Sequence, residues 1–595
     1  MLDPKAEYAG RLEARLQAVA REERRHIRIG NTKLATIVVG VALVWLSLER
    51  HLFSLSWVLV AVGLYAVLAV FHEKVLRSRS RMERAAAFYR HGIARIEDRW
   101  VGMGNVGDRF QDEKHVYAED LDLFGRGSLY ELLCTARTPM GEQRLADWLR
   151  SASPVPTVLE RQSVVDELRE RLDLREDLAL AGEELRGSLN PPALIQWSQG
   201  KRVLGSLLWR GLAALLALLM IATIAYGSYT SSYGPLLLVF IIVLIVRHNF
   251  VKPAEAVMGS LNADGQALGL FAATLARFES ESFVSPRLRR FVEELKEGGT
   301  LASVAIRKLS RIAYWIEARD SFMMKILDVL FLVNIQIAYA AEGWRGRWGS
   351  RTASWIDAVG ELEALLSLSA YAYEHPADPY PEFADPAAGP LFDGEQLGHP
   401  LIPVDRCVTN SVRLDAENRI LMVSGSNMSG KSTFLRVVGV NSVLAMAGAP
   451  IRGKSLRLSP FIVGSRMRTT DSLQENRSGF YAEILRIRQV FELSGGDIPV
   501  LFLFDELLEG TNSKDRRIGA EGLLRAFLAR GAVGIVTTHD LALTEITSEL
   551  GKAVRNAHLQ DYVEEGRMRF DYKLRPGVVA HSNALELMRL VGLQV

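Results

Sequence analysis

"MVSGSNMSGKSTFLR", Met422–Arg436, decides how this chain is read. Within it, Gly425-Ser426-Asn427-Met428-Ser429-Gly430-Lys431-Ser432 fits the pattern G-x-x-x-x-G-K-[ST] without a mismatch. The preceding "RILMV" has the apolar text of a buried strand, and "STFLRVVGVNSVLAMA" has the text of a helix. Strand, glycine-rich turn and helix together are the context that separates this pattern from a chance turn. The glycines let backbone N–H groups face phosphate oxygens, and the helix adds the positive end of its dipole. In that setting Lys431 reaches the β- and γ-phosphates of ATP, and the Ser432 hydroxyl takes a Mg²⁺ ion. Gly425 through Thr433 is the expected nucleotide-binding segment.

A partner motif lies downstream in "PVLFLFDELLEGTNS". The unbroken apolar run Val500–Phe504 predicts a buried parallel strand. Asp505 at its end is expected to hold Mg²⁺ through the ion's hydration shell. Glu506 is expected to orient or deprotonate the attacking water. "GAVGIVTTHDLAL" predicts a second buried strand that ends at Thr538-His539-Asp540, with His539 placed to sense the γ-phosphate. Leu493-Ser494-Gly495-Gly496 mimics a transporter signature, but only "DIP" separates it from the next strand. It reads as a turn that ends a helix.

These residues resemble the ATPase domain of MutS proteins, a branch of the ABC ATPase superfamily. The MutS loop typically reads G-P-N-M-x-G-K-S-T; here Asn427 and Met428 match and Ser426 stands in place of proline. The MutS order R-S-T-F-x-x-E is matched by Arg477-Ser478-Gly479-Phe480 and Glu483, with glycine replacing threonine. The resemblance implies Mg²⁺-dependent ATP hydrolysis at the interface of a homodimer joined through the ATPase domains. It also implies that Ser478 completes the site of the opposing subunit. "YKLRPGVVAHSNALELMRLVGL" is similar to the stretch that closes the MutS ATPase domain, and residues 127–170 resemble the start of the MutS helical core. The mismatch-reading domain of MutS and the nuclease domain of one MutS branch are both expected to be absent.

Four apolar stretches, at 34–48, 52–71, 211–226 and 235–246, read as two membrane hairpins. A bilayer core needs roughly 20 apolar residues per helix. Only the second stretch reaches that cleanly, and the others borrow from their flanks, with Arg210 snorkelling outward. Basic flanks ("REERRHIRIGNTK", "HEKVLRSRSRMER", "GKR", "RHNFVKP") predict that both termini and the ATPase domain face the cytoplasm. Lipid is thus an expected partner. "DVLFLVNIQIAY", residues 328–339, is short and interrupted by Asp328 and Asn334, so a core helix is expected there rather than a fifth span.

At 595 residues the chain exceeds a single hydrophobic core. The expected organisation is multi-domain. Residues 1–100 carry the first transmembrane helical hairpin. Residues 101–372 form an all-α MutS-like core interrupted by the second hairpin. Residues 373–400 are a Pro- and Gly-rich linker, and 401–595 a C-terminal α/β P-loop ATPase domain. Cys134 and Cys407 are far apart and read as small buried side chains in a reducing compartment.

What the ATPase works on stays open between two readings. One is a role in DNA transactions akin to mismatch repair, with DNA as partner. The other is an ATP-dependent membrane switch or scaffold acting on unknown protein partners, with no DNA. Lys and Arg total 71 against 69 Asp and Glu, so no global positive field advertises DNA binding, although a local basic patch would suffice. A transporter is disfavoured because the four stretches contain hardly any ionisable residues to mark a pathway.

Overall fold

The computed structural model describes residues 3–49, 54–185, 189–259, 261, 264–297, 299–467, 479–564 and 567–579. It divides into two units, residues 1–103 with 172–180, and the remainder.

In the first unit two long helices, α1 (Pro4–Leu48) and α2 (Trp57–Ile96), pack along each other. Asp3 caps α1 by accepting from Lys5 N, with proline in the first turn. The polar ends are locked together. A Cβ at Gly92 would lie 2.5 Å from the Tyr8 ring, so only glycine allows this approach. Tyr89 donates to Glu176, and Arg175 donates to the Tyr8 hydroxyl at 2.9 Å. Both partners sit at the start of α6 (Leu172–Leu185).

The second unit opens with helices α3 (Leu129–Leu133), α4 (Pro139–Arg150), α5 (Val155–Arg169), the end of α6, and α7 (Pro191–Ser198). Then α8 (Leu207–Thr230) and α9 (Gly234–Met258) form a second hairpin. By length and composition α1, α2, α8 and α9 are each able to cross a membrane. The most apolar eighteen residues of each are only 0–17% buried. That is the reverse of a soluble helix, whose apolar stripe is covered.

The chain continues through α10 (Gly265–Glu279), α11 (Pro286–Glu294), the two-stranded β1 (Lys296–Glu297) and β2 (Thr300–Leu301), and α12 (Ala302–Ala318). The stretch 328–339, expected to be one core helix, is not. It spans the end of α13 (Phe322–Phe331) and the start of α14 (Val333–Trp348), and the chain turns through 89° between them. Buried Leu332 sits at the corner with φ 55°, a left-handed conformation uncommon for a bulky residue. Asp328 braces it: one carboxylate oxygen accepts from Arg247 Nε at 2.9 Å, the other from Asn334 N at 2.9 Å. The interrupting polar residues are therefore the hinge pins of a bend.

Helix α15 (Thr352–Glu374) is buried along most of its length. Its Glu363 accepts from Thr138 N at 3.1 Å and from the Thr138 hydroxyl, at the N-terminus of α4. A Cβ at Gly141 or Gly182 would collide with that carboxylate. Burial pushes Glu363 up to about 7, against the pull of its hydrogen bonds.

The C-terminal part is α/β. A four-stranded sheet has the order β3 (Glu382–Phe383), β7 (Ser455–Leu458), β4 (Phe392–Leu397), β5 (Asn410–Leu414). Residues 373–400, expected to act as a linker, thus supply two of its strands. A six-stranded sheet has the order β12 (Arg567–Pro576), β11 (Val554–Glu564), β6 (Ile420–Ser424), β10 (Val533–Thr538), β9 (Val500–Phe504), β8 (Ile462–Arg466). All neighbours are parallel except β11 and β12. Helices α16 (Lys431–Ala447), α17 (Gly479–Leu493), α18 (Ser513–Ala529), α19 (Leu541–Thr544) and α20 (Ile546–Leu550) complete it.

The period-two alternation of β9 decides which helix meets which face. Val500, Phe502 and Phe504 join Val490 of α17 and Leu524 and Phe527 of α18 in one core. Leu503 faces α16, where a Cβ on Gly439 would lie 2.9 Å from it. Beyond β8 the sheet is closed by chain from residues 113–120. Ser465 N donates to Val116 O at 2.9 Å and its hydroxyl to Asp120 at 2.7 Å. Arg436 of α16 donates to Asp120 O, and Arg486 of α17 to the carbonyls of Glu113, Lys114 and His115.

Candidate nucleotide site

The parallel strands β6 and β9 flank β10, and the turns that follow them carry the two motifs. Open parallel sheets bind ligands at such carboxyl ends. Between them lies a cleft of about 570 Å³, lined by Asn427, Met428, Gly430, Lys431, Ser432 and Thr433 from the loop and by Asp505 and Glu506 from the end of β9. Its far wall includes Tyr572, Asn410 and His399.

The loop has the features of a phosphate cradle. Gly430 has φ 96°, and a Cβ there would lie 2.9 Å from the Tyr572 ring. Met428 also adopts positive φ (71°) and is 84% exposed at the cleft mouth. The hydroxyls of Ser426 and Ser429 are buried without a hydrogen-bond partner. Buried polar groups are almost always paired, so these two await an acceptor or donor. Lys431 is buried. Its Nζ donates to Gly425 O and Ser426 O, both at 2.9 Å, and lies 3.8 Å from Glu506. Burial lowers the Lys431 pKa, and the carboxylates of Glu506 and Asp505 oppose that shift.

The acidic side is held by residues that, Glu483 apart, the sequence did not single out. The Thr537 hydroxyl donates to Asp505 Oδ1 and accepts from Glu506 N at 3.0 Å. One threonine on β10 thereby fixes both motif acids. Glu506 has φ 51° and Leu508 φ 58°, so this turn is a left-handed kink of non-glycine residues. Such strain persists only where surroundings hold it, and it concentrates at functional sites. The restraints are visible. Arg466 donates to Asp505 O at 2.9 Å, and Glu483 accepts from Leu508 N at 2.9 Å. Arg466 and Glu483 pair with each other at 3.3 Å, both buried. Arg516 ties down the carbonyls of Leu508, Glu509 and Thr511.

His539 Nδ1 lies 3.4 Å from Glu506 Oε1, and ligand atoms of Glu506, Glu509 and His539 all lie within 4.8 Å of one another. A hydrogen bond to Glu506 raises the Glu509 pKa, with burial adding to it. Of the expected metal ligands, Ser432 and Asp505 line the same cleft. A buried ammonium, the Ser432 hydroxyl and two acids on one cleft fit a magnesium-bound triphosphate.

The structure brings Gly430–Thr433, Asp505, Glu506 and His539 together. Ser478 lies outside the described residues, but Glu483 of the same motif is described and anchors α17 to the acidic turn. Leu493 ends α17, and Ser494–Gly496 form the turn after it. Thr537 and Tyr572 were missed. Tyr572 has φ 55°, and its carbonyl accepts from Asn410 Nδ2 at 2.9 Å, an arrangement with no local sequence signal.

Part of this chain is similar to known proteins. It is 34% identical over 239 residues to Endonuclease MutS2 of Thermus thermophilus, a match covering 40% of this chain and 30% of that protein. It is 26% identical over 239 residues to DNA mismatch repair protein MutS of Streptococcus uberis, covering 40% of this chain and 28% of that protein. With the Staphylococcus haemolyticus MutS it shares 28% over 241 residues, covering 40% and 26%. The likeness thus spans less than a third of each relative. Residues 421–594, which carry both motifs of the cleft, match MutS domain V.

Proposed function

We propose that this chain is a Mg²⁺-dependent ATPase held in a membrane by α1/α2 and α8/α9, working as a homodimer through its ATPase domains. One observation carries the ATPase reading. The loop residues Asn427 and Gly430–Thr433 and the acids Asp505 and Glu506 line one cleft, on a region that matches MutS domain V. Lys431 and the loop N–H groups bind the β- and γ-phosphates. Ser432 and Asp505 would hold the magnesium, which would neutralise charge that develops on the phosphates. Glu506 lies beside Lys431 and His539. It orients the attacking water, and His539 beside it reads the γ-phosphate. The MutS resemblance would assign Ser478 to the partner's nucleotide.

The membrane part rests on four long helices whose apolar windows are uncovered. The named relatives act in DNA mismatch repair or as an endonuclease, which favours a DNA partner as a second reading. Against it, the matches cover only about 40% of this chain, and the near-balanced charge supplies no long-range attraction to phosphate backbone. An ATP-driven membrane switch is the reading we prefer.

ATP turnover by the purified full chain in detergent is the test. Lys431→Ala should abolish nucleotide binding, and Glu506→Gln should bind ATP but not hydrolyse it. Turnover by Glu506→Gln equal to wild type would remove Glu506 from the chemistry. Binding to homoduplex, mismatched and branched DNA over a salt series decides between the two readings. Steeply salt-dependent, ATP-modulated binding would overturn the switch without DNA.

A further inference from the structure

Helix α13 is built inside out. Its buried side carries Asp328, while Phe322 (79% exposed), Met323 (63%) and Ile326 (40%) face outward. These three recur at the one- and four-residue steps of a single helical face. A helix in water covers its apolar face and exposes its acid; α13 exposes three large apolar side chains and buries its acid.

Its attachments say where it sits. Asp328 is held by Arg247, the first residue after the apolar run 235–246 of α9. Gln336, in the first turns of α14, exchanges two hydrogen bonds with Arg210, the last residue before the apolar run 211–226 of α8. Both ends of the second hairpin's apolar band are thus bonded to the α13–α14 corner. The bend of 89° at Leu332 then carries α13 away from the line of the helix that follows it. Trp315 and Tyr314, just upstream on α12, are about half exposed, and Lys325 is exposed within α13 itself. Aromatic rings and snorkelling lysines are the side chains that settle at the level of lipid headgroups.

We propose that α13 lies in the plane of the cytoplasmic membrane interface, with Phe322, Met323 and Ile326 dipped into the lipid beside the α8/α9 hairpin. Its occupant is lipid, as for amphipathic helices that lie in the headgroup–acyl boundary. This rests on the membrane reading above and adds a lipid contact that the four spans do not include. It also gives the ATPase-bearing unit a flat footing, because α14 leads from the corner into buried α15.

The test places an environment-sensitive fluorophore on single cysteines in the full chain, with Cys134 and Cys407 replaced by alanine. The sites are Met323→Cys on α13, Leu218→Cys within the apolar run of α8, and Ile518→Cys on α18. Each protein is reconstituted in nanodiscs of phosphatidylcholine and phosphatidylglycerol that carry a nitroxide either near the headgroup or at mid-chain. The expected result is strong quenching of position 323 by the headgroup nitroxide, of 218 by the mid-chain nitroxide, and of 518 by neither. Quenching at 218 with none at 323 overturns the interfacial helix and leaves the hairpin standing. Position 323 quenched best at mid-chain overturns it in favour of a fifth span. Quenching at neither 218 nor 323 overturns the inference together with the membrane reading beneath it.

Discussion

Replacing Glu483 with alanine should unfasten the acidic turn from a distance. Glu483 is on α17, yet its carboxylate accepts from Leu508 N and faces Arg466, whose other nitrogen holds Asp505 O. Both side chains are almost fully buried, 1% and 7% exposed. Burial pushes the Glu483 pKa above its usual range, and Arg466 and the Leu508 N–H pull it only part of the way back. The pair is therefore no large net source of stability compared with apolar side chains of the same volume. Truncating one member is different: it leaves a buried guanidinium unpaired, which costs about 3–5 kcal/mol. Leu508 N also loses its acceptor. Since Arg466 keeps its bond to Asp505 O, the lower end, about 3 kcal/mol, is the expected loss. Glu483→Gln keeps an acceptor for Leu508 N and should lose less, about 1–3 kcal/mol. The double change Arg466→Met with Glu483→Leu should recover most of the stability but not ATP turnover, because nothing then fixes Asp505 O. Urea unfolding of the full chain in detergent gives the first quantity, and steady-state hydrolysis the second. A Glu483→Ala midpoint shift worth under about 0.5 kcal/mol, the level of an ordinary surface change, would refute the reasoning.

Three further outcomes follow from the geometry. Thr537→Ala removes the hydroxyl shared by Asp505 and Glu506 N and should weaken Mg-ATP binding about tenfold, roughly 1.4 kcal/mol, by titration calorimetry. Gly430→Ala sets a Cβ 2.9 Å from the Tyr572 ring at a φ of 96°; adding Tyr572→Ala should relieve the clash but leave about 1–2 kcal/mol of backbone strain in the unfolding midpoint. Glu363 has its pKa raised from 4.5 to about 7, so between these values the folded chain binds more protons than the unfolded one. Its contribution is fully present below pH 4.5, falls as pH rises, and is gone above about 7, a loss of order 3 kcal/mol. Glu363→Gln should flatten that part of the stability–pH curve.

The nucleotide loop was legible because its whole argument is local. Two glycines, a lysine and a serine at fixed spacing need only a strand before them and a helix after. Asp505 and Glu506 were legible for the same reason, at the end of an unbroken apolar strand. Thr537 and Tyr572 were not, since each acts across strands that meet only when the sheet forms. Glu483 stood in a quoted motif, yet its pairing with Arg466 and Leu508 N depends on how α17 lies against β8 and β9. The bend at Leu332 was hidden by its composition: "LFLV" reads as a continuing helix, and nothing in it announces a leucine in a left-handed conformation.

The closure of β8 by residues 113–120 has a practical side. A row of unpaired N–H and C=O groups along a sheet margin is an invitation to stray strands. Here that margin is sealed by chain lying nearly three hundred residues ahead of the ATPase text. A fragment cut where the composition changes, near residue 401, would be born with an open seam at β8. It would also lack the carbonyls that hold Arg436 and Arg486. The unit that carries the ATPase motifs therefore includes residues 104–171, well ahead of the motifs themselves.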